Sequence, residues 1–102
     1  MGFSVRFTPQ ARDDLARLYD WLLQRAEGDF TVAERALQAI RDGVTVLEVA
    51  PLSCRKARSN NPFLREIVIG HVSSGYVQLF ELQDKQIVIV LAVRQQHEYD
   101  YY

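Results

Sequence analysis

Phe3-Ser4-Val5-Arg6-Phe7 alternates apolar and polar residues, the period of a strand with one buried face. Thr8 and Pro9 follow, and together they read as a helix start. A Thr hydroxyl accepts a hydrogen bond from a free N–H of the first turn, and Pro at the first helical position lacks an N–H that would go unused there. Asp13 and Asp14 place negative charge near the positive end of the helix dipole. Ala11, Leu15, Leu18, Tyr19, Leu22, Leu23 and Ala26 then form one helical stripe, with Gly28 as its stop. Trp21 lies beside that stripe, the position of a semi-buried core residue.

A second helix is predicted from Thr31, where Thr31-Val32-Ala33-Glu34 matches a capping box. Its inner face is Ala33, Ala36, Leu37, Ile40, Val44 and Leu47, and Pro51 closes it. So short a connection predicts an antiparallel helical hairpin, with Ala33, Ala36, Ala39 and Gly43 allowing close approach. Between Pro51 and Phe63 the periodicity vanishes and an exposed loop is expected. Three strand signals follow. Leu64 to Ile69 alternates, with Arg65, Ile67 and Ile69 on one face and Leu64, Glu66 and Val68 on the other. After a Ser73-Ser74-Gly75 turn, Tyr76 to Leu82 forms the next strand, and Gln83-Asp84-Lys85 turns again. Ile87 to Val93 is uninterrupted and rich in β-branched residues, as in a central strand covered on both faces. The expected fold class is α+β: an N-terminal strand, then a helical hairpin packed on a small antiparallel sheet, in the order β-α-α-β-β-β. Residues 1–102 read as a single domain without repeats or linkers.

Composition agrees with a packed domain: 102 residues, 48% apolar and 25% charged, enough for one core. No apolar run reaches bilayer length, and the N-terminus lacks a secretory pattern. The lone Cys54 has no internal disulfide partner, which fits a reducing compartment, so the cytoplasm is the expected location. A formal charge of −1 argues against direct nucleic-acid binding by the whole surface. The basic residues are unevenly spread, however. Arg55, Lys56, Arg58 and Arg65 fall in an acid-free stretch, which suits one localised anionic partner. With one Cys and two His, His71 and His97, no metal-ligand set is expected, nor any cofactor site.

The segments TPQARDDLARLYDWL, LREIVIGHVSSGYVQLFEL and IVIVLAVRQQHEYDYY, with the short first strand and second helix, resemble the ParE/RelE toxins of type II toxin–antitoxin systems. The resemblance covers nearly the whole chain. It implies a partner antitoxin (ParD-like, with an acidic tail that folds across the toxin) and hence a hetero-oligomer. It also implies one of two modes of action. RelE-like members are ribosome-dependent mRNA endonucleases with a cluster of basic and aromatic residues on the sheet. ParE-like members share the fold, generally lack that cluster, and inhibit DNA gyrase.

The residues favour the ParE-like branch. Where RelE-like chains carry Arg after the Gly-Tyr of the hairpin, Gly75-Tyr76 is followed here by Val77. Two residues beyond Arg65 stands Ile67 rather than a second cation. The last strand supplies Arg94, then Gln95, Gln96 and His97, with Glu98 and Asp100 diluting the charge. Metal-free RNA cleavage needs a base, an acid and a cation where phosphate charge develops, so the chain is expected to act by binding. The partner-binding candidates are Arg55, Lys56, Arg58, Arg65, Arg94, His97 and Tyr99. The endonuclease alternative would rest on Arg65, Arg94, His97 and Tyr102. A third reading is a degenerate toxin that binds antitoxin and tunes repression. The bland readings are a solvated loop for the basic run and ion pairs for the arginines, Arg94 with Glu81 or Asp100. For His97, Tyr99, Tyr101 and Tyr102 the bland reading is a tail packed on the sheet edge.

Overall fold

The computed structural model describes residues 2–25, 30–57, 61, 63–69 and 75–95. Within them the chain forms strand β1 (Ser4–Phe7), helices α1 (Pro9–Arg25) and α2 (Phe30–Val49), a 3-10 turn at Pro51–Ser53, and strands β2 (Arg55–Lys56), β3 (Leu64–Ile69), β4 (Tyr76–Leu82) and β5 (Ile87–Gln95). The α+β class and the order of elements follow the sequence pattern. Gly28, Ala26 and the Ser73-Ser74 turn lie outside the described residues.

Two expectations about the sheet are corrected. The segment after Pro51 is not wholly loop: Arg55 and Lys56 pair antiparallel with Glu66 and Arg65, giving a two-residue edge strand that hydrophobic periodicity is too short to reveal. The sheet therefore has five strands in the order β1-β5-β4-β3-β2. It is also mixed rather than antiparallel, because β1 runs parallel to β5, with Ser4 opposite Ile87 and Phe7 opposite Val90. β5 is an interior strand, as its unbroken β-branched run predicts, lying between β4 and β1 and running on to Gln95.

Both helices pack on one face of this sheet. Leu18 and Leu22 of α1 and Ala36, Ile40 and Leu47 of α2 bury against Phe80, Val88, Val90 and Val93. Leu15, Tyr19 and Leu23 extend the α1 stripe half-buried, as the 3.6-residue period requires. Trp21, by contrast, is 39% exposed and takes no place in the core. The Arg25 guanidinium lies over its ring, 4.7 Å from the centroid, where the ring's negative face attracts a cation. The two helices are tied by the Tyr19 hydroxyl, which donates to Glu34 Oε1 at 3.3 Å. Helix α2 begins at Phe30, so Thr31 sits in its first turn rather than at its cap.

Thr8 does cap α1: the Ala11 amide donates to its Oγ1 at 3.0 Å. The same residue joins the helix to the sheet. β1 ends at Phe7, opposite Val90, and beyond that point β5 has no strand on its β1 side. A bulge at this level, where Phe80 pairs with Val90 but Leu79 with Ala92, leaves Leu91 as the extra residue. The Thr8 hydroxyl donates to the Leu91 carbonyl at 3.4 Å, and Asp14 Oδ2 accepts the Val93 amide at 3.0 Å. Asp14 is thus buried, with Arg17 on its other oxygen, and is no exposed charge serving the helix dipole.

Gly43 is not a helix–helix contact either. A Cβ there would stand 2.7 Å from Ile69 Cδ1 and 2.8 Å from Gln78 Nε2, so its bare backbone serves the approach of α2 to the sheet. Gln78, fully buried, uses that space to donate from Nε2 to the Ile40 carbonyl at 3.0 Å, while its Oε1 has no hydrogen-bond partner.

Two stability outcomes follow from these contacts. Asp14→Ala strands the buried Val93 amide and is expected to lower unfolding free energy by about 1–3 kcal/mol. Asp14→Asn keeps an acceptor and should lose less; equal losses in urea melts would remove the amide bond as the cause. Gly43→Ala gains roughly 1 kcal/mol in helix propensity but overpacks the interface by about 1–3 kcal/mol. A net destabilisation is expected, relieved in the Gly43→Ala, Gln78→Ala double variant.

Candidate functional site

Strand alternation sorts the side chains of the sheet into two populations. On β4, Tyr76, Gln78 and Phe80 turn towards the helices, and Val77, Leu79 and Glu81 turn away. The register carries this sorting across the sheet. Arg65, Ile67 and Ile69 stand opposite Phe80, Gln78 and Tyr76, on the helix side. Glu66 stands opposite Leu79, and Arg94 opposite Val77, on the other side.

This division separates the two arginines that the sequence offered together. Arg65 is half-buried on the helix side, where its Nη1 donates to the Cys54 carbonyl at 2.8 Å. That bond fixes the approach to β2. Arg65 is therefore a brace, not an outward-facing residue, and its expected carboxylate partner is replaced by a main-chain carbonyl. Arg94 is half-buried on the helix-free face. It makes no ion pair with Glu81, which stands opposite Ile89, four residues along β4 from Val77 or roughly 13 Å of strand. Arg58, His97, Tyr99, Tyr101 and Tyr102 lie outside the described residues.

The basic stretch is likewise divided. Lys56 is exposed and pairs in register with Arg65. Arg55 pairs with Glu66, and its Nε donates to Glu66 Oε1 at 3.1 Å. The two ends of this ion pair differ sharply in exposure: 60% for the Arg55 side chain and 2% for that of Glu66. Glu66 Oε2 is buried with no hydrogen-bond partner. Sequence reasoning missed this residue, since an acid in an alternating strand reads as solvent-facing. The only available signal was an acid two residues into the strand that follows an acid-free basic run.

The helix-free face therefore holds Arg94, the exposed Arg6 and Arg55, two carboxylates, the buried Glu66 and half-buried Glu81, and the half-buried aliphatics Leu64, Val68 and Ile89. Nothing nucleophilic is marked out among the described residues. Burial pushes the Tyr76 hydroxyl pKa up, and Tyr76 belongs to the core. Burial also raises the Cys54 thiol, against smaller opposing effects of Ser53 and Arg65. Among the described residues no three His, Cys, Asp or Glu side chains gather to hold a metal ion. A second surface lies on α2, where Phe30, Glu34, Arg35, Gln38 and Arg41 line an open groove of about 460 Å³, with Phe30 61% exposed.

The asymmetry of the Arg55–Glu66 pair sets an expected outcome. Arg55→Ala leaves a buried carboxylate without its cation and should lower stability by about 1–3 kcal/mol. Glu66→Leu releases an already exposed Arg55 into water and should be near neutral. Equal effects in denaturant titrations would show that the pair is not burial-driven.

Three comparisons bear on identity. A family model described as the ParE toxin of the type II toxin–antitoxin system parDE matches residues 5–99. Among curated proteins, the chain is similar to Toxin RelE3 of Caulobacter vibrioides, with 32% identity over 87 residues, covering 84% of this chain and 87% of that protein. Among solved structures it is similar to a chain of the chromosomal ParDE toxin–antitoxin system from P. aeruginosa, with a TM-score of 0.72 and 22% identity over 91% of this chain and 95% of that one. The last is a likeness of fold. No described helix is long and apolar enough to cross a membrane. With the family model covering almost the full sequence and a relative above 30% identity, the chain belongs to the ParE/RelE family of toxins of type II toxin–antitoxin systems.

Proposed function

We propose that the protein is a cytoplasmic toxin that arrests growth by docking on DNA gyrase and is neutralised by a ParD-like antitoxin bound to it in a hetero-oligomer. The observation that carries the reading is the placement of Arg65 and Arg94 on opposite faces of the sheet. A metal-free ribonuclease must converge cations on one phosphate, because each donor aimed at the developing charge is worth about a hundredfold or more in rate. Arg65 donates to a main-chain carbonyl on the helix side; on the face that holds Arg94, Arg55 is engaged by the buried Glu66, Arg6 stands opposite Ile89, five residues along β5 from Arg94, and Glu81 adds negative charge. Half-buried aliphatic side chains interleaved with charged ones on that face, and the Phe30–Arg41 groove on α2, suit a protein partner instead.

An excess of purified toxin is expected to block gyrase supercoiling and to leave messenger RNA on ribosomes uncut, and added antitoxin should reverse the block. His97→Ala and Tyr102→Phe should remain toxic on induction. Cleaved transcripts in the decoding centre, with both variants harmless, would instead support the ribosome-dependent endonuclease.

A further inference from the structure

The face of the sheet turned away from the helices is buried in places that no described helix reaches. Strand alternation and register put Glu66, Val77 and Ala92 on that face, on three adjoining strands. Their exposures are 2%, 1% and 7%, as low as those of the core on the other side. Neighbours in the sheet do not account for this. Leu64, Val68 and Leu79 around Glu66 are themselves only half-buried, and the Arg55 side chain beside it is 60% exposed. A glutamate standing up from a sheet reaches at least as high as such neighbours, so its carboxylate would meet water. Instead Oε2 is buried with no hydrogen-bond partner. An unpaired buried carboxylate oxygen is costly, and a donor has to come from above the sheet.

Residues 96–102 have the length and the chemistry to be that cover. From Gln95 the point above Glu66 lies two strands across and three residues back, roughly 14 Å in the plane of the sheet. These seven residues span about 23 Å when extended. They interleave acids with aromatics, Glu98 and Asp100 with Tyr99, Tyr101 and Tyr102. Two other stretches border the face, 58–62 between β2 and β3 and 70–75 between β3 and β4. Neither contains an acid, and the first adds Arg58. Since Arg6, Arg55 and Arg94 stand on this face, it repels further positive charge and attracts carboxylates.

We infer that residues 96–102 fold back across the helix-free face as a strap, with Glu98 beside Arg94, tyrosine rings over Val77 and Val68, and one tyrosine hydroxyl donating to Glu66 Oε2. The strap lies over the face of the sheet, not along its edge. Tyrosine suits the place because its ring buries apolar area while its hydroxyl supplies the missing donor. The free chain then presents the outer side of this strap, rather than bare Arg94, to anything that docks there. The inference concerns the chain without partners and stands independently of the gyrase reading.

Nuclear Overhauser contacts in the full chain, measured without partners, test the strap directly. Ring protons of Tyr99, Tyr101 or Tyr102 are expected close to the methyl groups of Val77 and Val68. Contacts to those methyls from residues 58–62 or 70–75 alone assign the cover to a loop and overturn the inference, and an absence of any contact does the same. Contacts seen only between differently labelled copies place the tail of a second copy there and overturn the strap within one chain. A chain lacking residues 97–102 gives an independent readout. It is expected to raise the fluorescence of a hydrophobic dye several-fold, with far-UV circular dichroism unchanged, because the aliphatics of the face become accessible. Dye fluorescence equal to that of the full chain overturns the inference. If the shortened chain does not fold, the full-length Glu98→Lys, Asp100→Lys variant decides. Its tyrosine contacts to Val77 are expected to weaken several-fold, and contacts as strong as in the wild type overturn the charge pairing on which the strap depends.

Discussion

Where β1 stops and β5 runs on, the sheet has buried main-chain groups on β5 and no strand to meet them. Water is excluded there, so an unpaired amide would carry its full desolvation penalty. The first turns of α1 resolve this by standing in for the missing strand: Thr8 donates to Leu91 and Asp14 accepts from Val93. These two bonds fix the position of α1 along β5, and Thr8 simultaneously starts the helix. The packing of Leu18 and Leu22 over Val88 and Val90 depends on that placement. At the other side of the layer, Gly43 lets α2 settle close enough for Gln78 to reach the Ile40 carbonyl. Both helices are thus located by directional bonds, while apolar burial supplies the non-directional driving force.

Because both helices occupy one face, every second residue of each strand is committed to the core. The consequence for function is geometric. Cations on one strand pair reach the same surface only if their register agrees, and Arg65 and Arg94 do not agree. The helix-free face instead gathers aliphatics, the arginines Arg6, Arg55 and Arg94, and the carboxylates Glu66 and Glu81, with Arg55 held by Glu66. The sheet edges differ for a related reason. β2 closes one side with two cations held against Glu66 and Arg65, whereas β1 closes the other with alternation that leaves main-chain groups outward.

Much of the fold was legible from periodicity. The ranges Leu64–Ile69 and Tyr76–Leu82 follow directly from alternation, and the α1 stripe and its Thr8 cap follow from spacing and cap chemistry. Elements governed by non-local pairing were not legible. β2 is two residues long and exists only because β3 lies beside it. The direction of β1 relative to β5 is a property of the crossover, which no local pattern encodes. The site was less legible than the fold. The basic run pointed to Arg55 and Lys56, but nothing in it showed that Arg55 would be held by Glu66 or that Arg65 would turn inward to a carbonyl.

By itself the sequence determined the class, the order of elements, the core stripes and the family resemblance, because each depends on residue spacing within a segment. Only the tertiary structure decided which polar residues became structural: Asp14, Gln78, Glu66 and Arg65 carry no local sign of burial and are wholly or partly buried, each on a partner far along the chain or across the sheet. The reason is that a polar group's role is set by what desolvates it and what then satisfies it, and both arrive from other segments. Apolar burial leaves a repeating trace in sequence; the partner of a buried polar group does not.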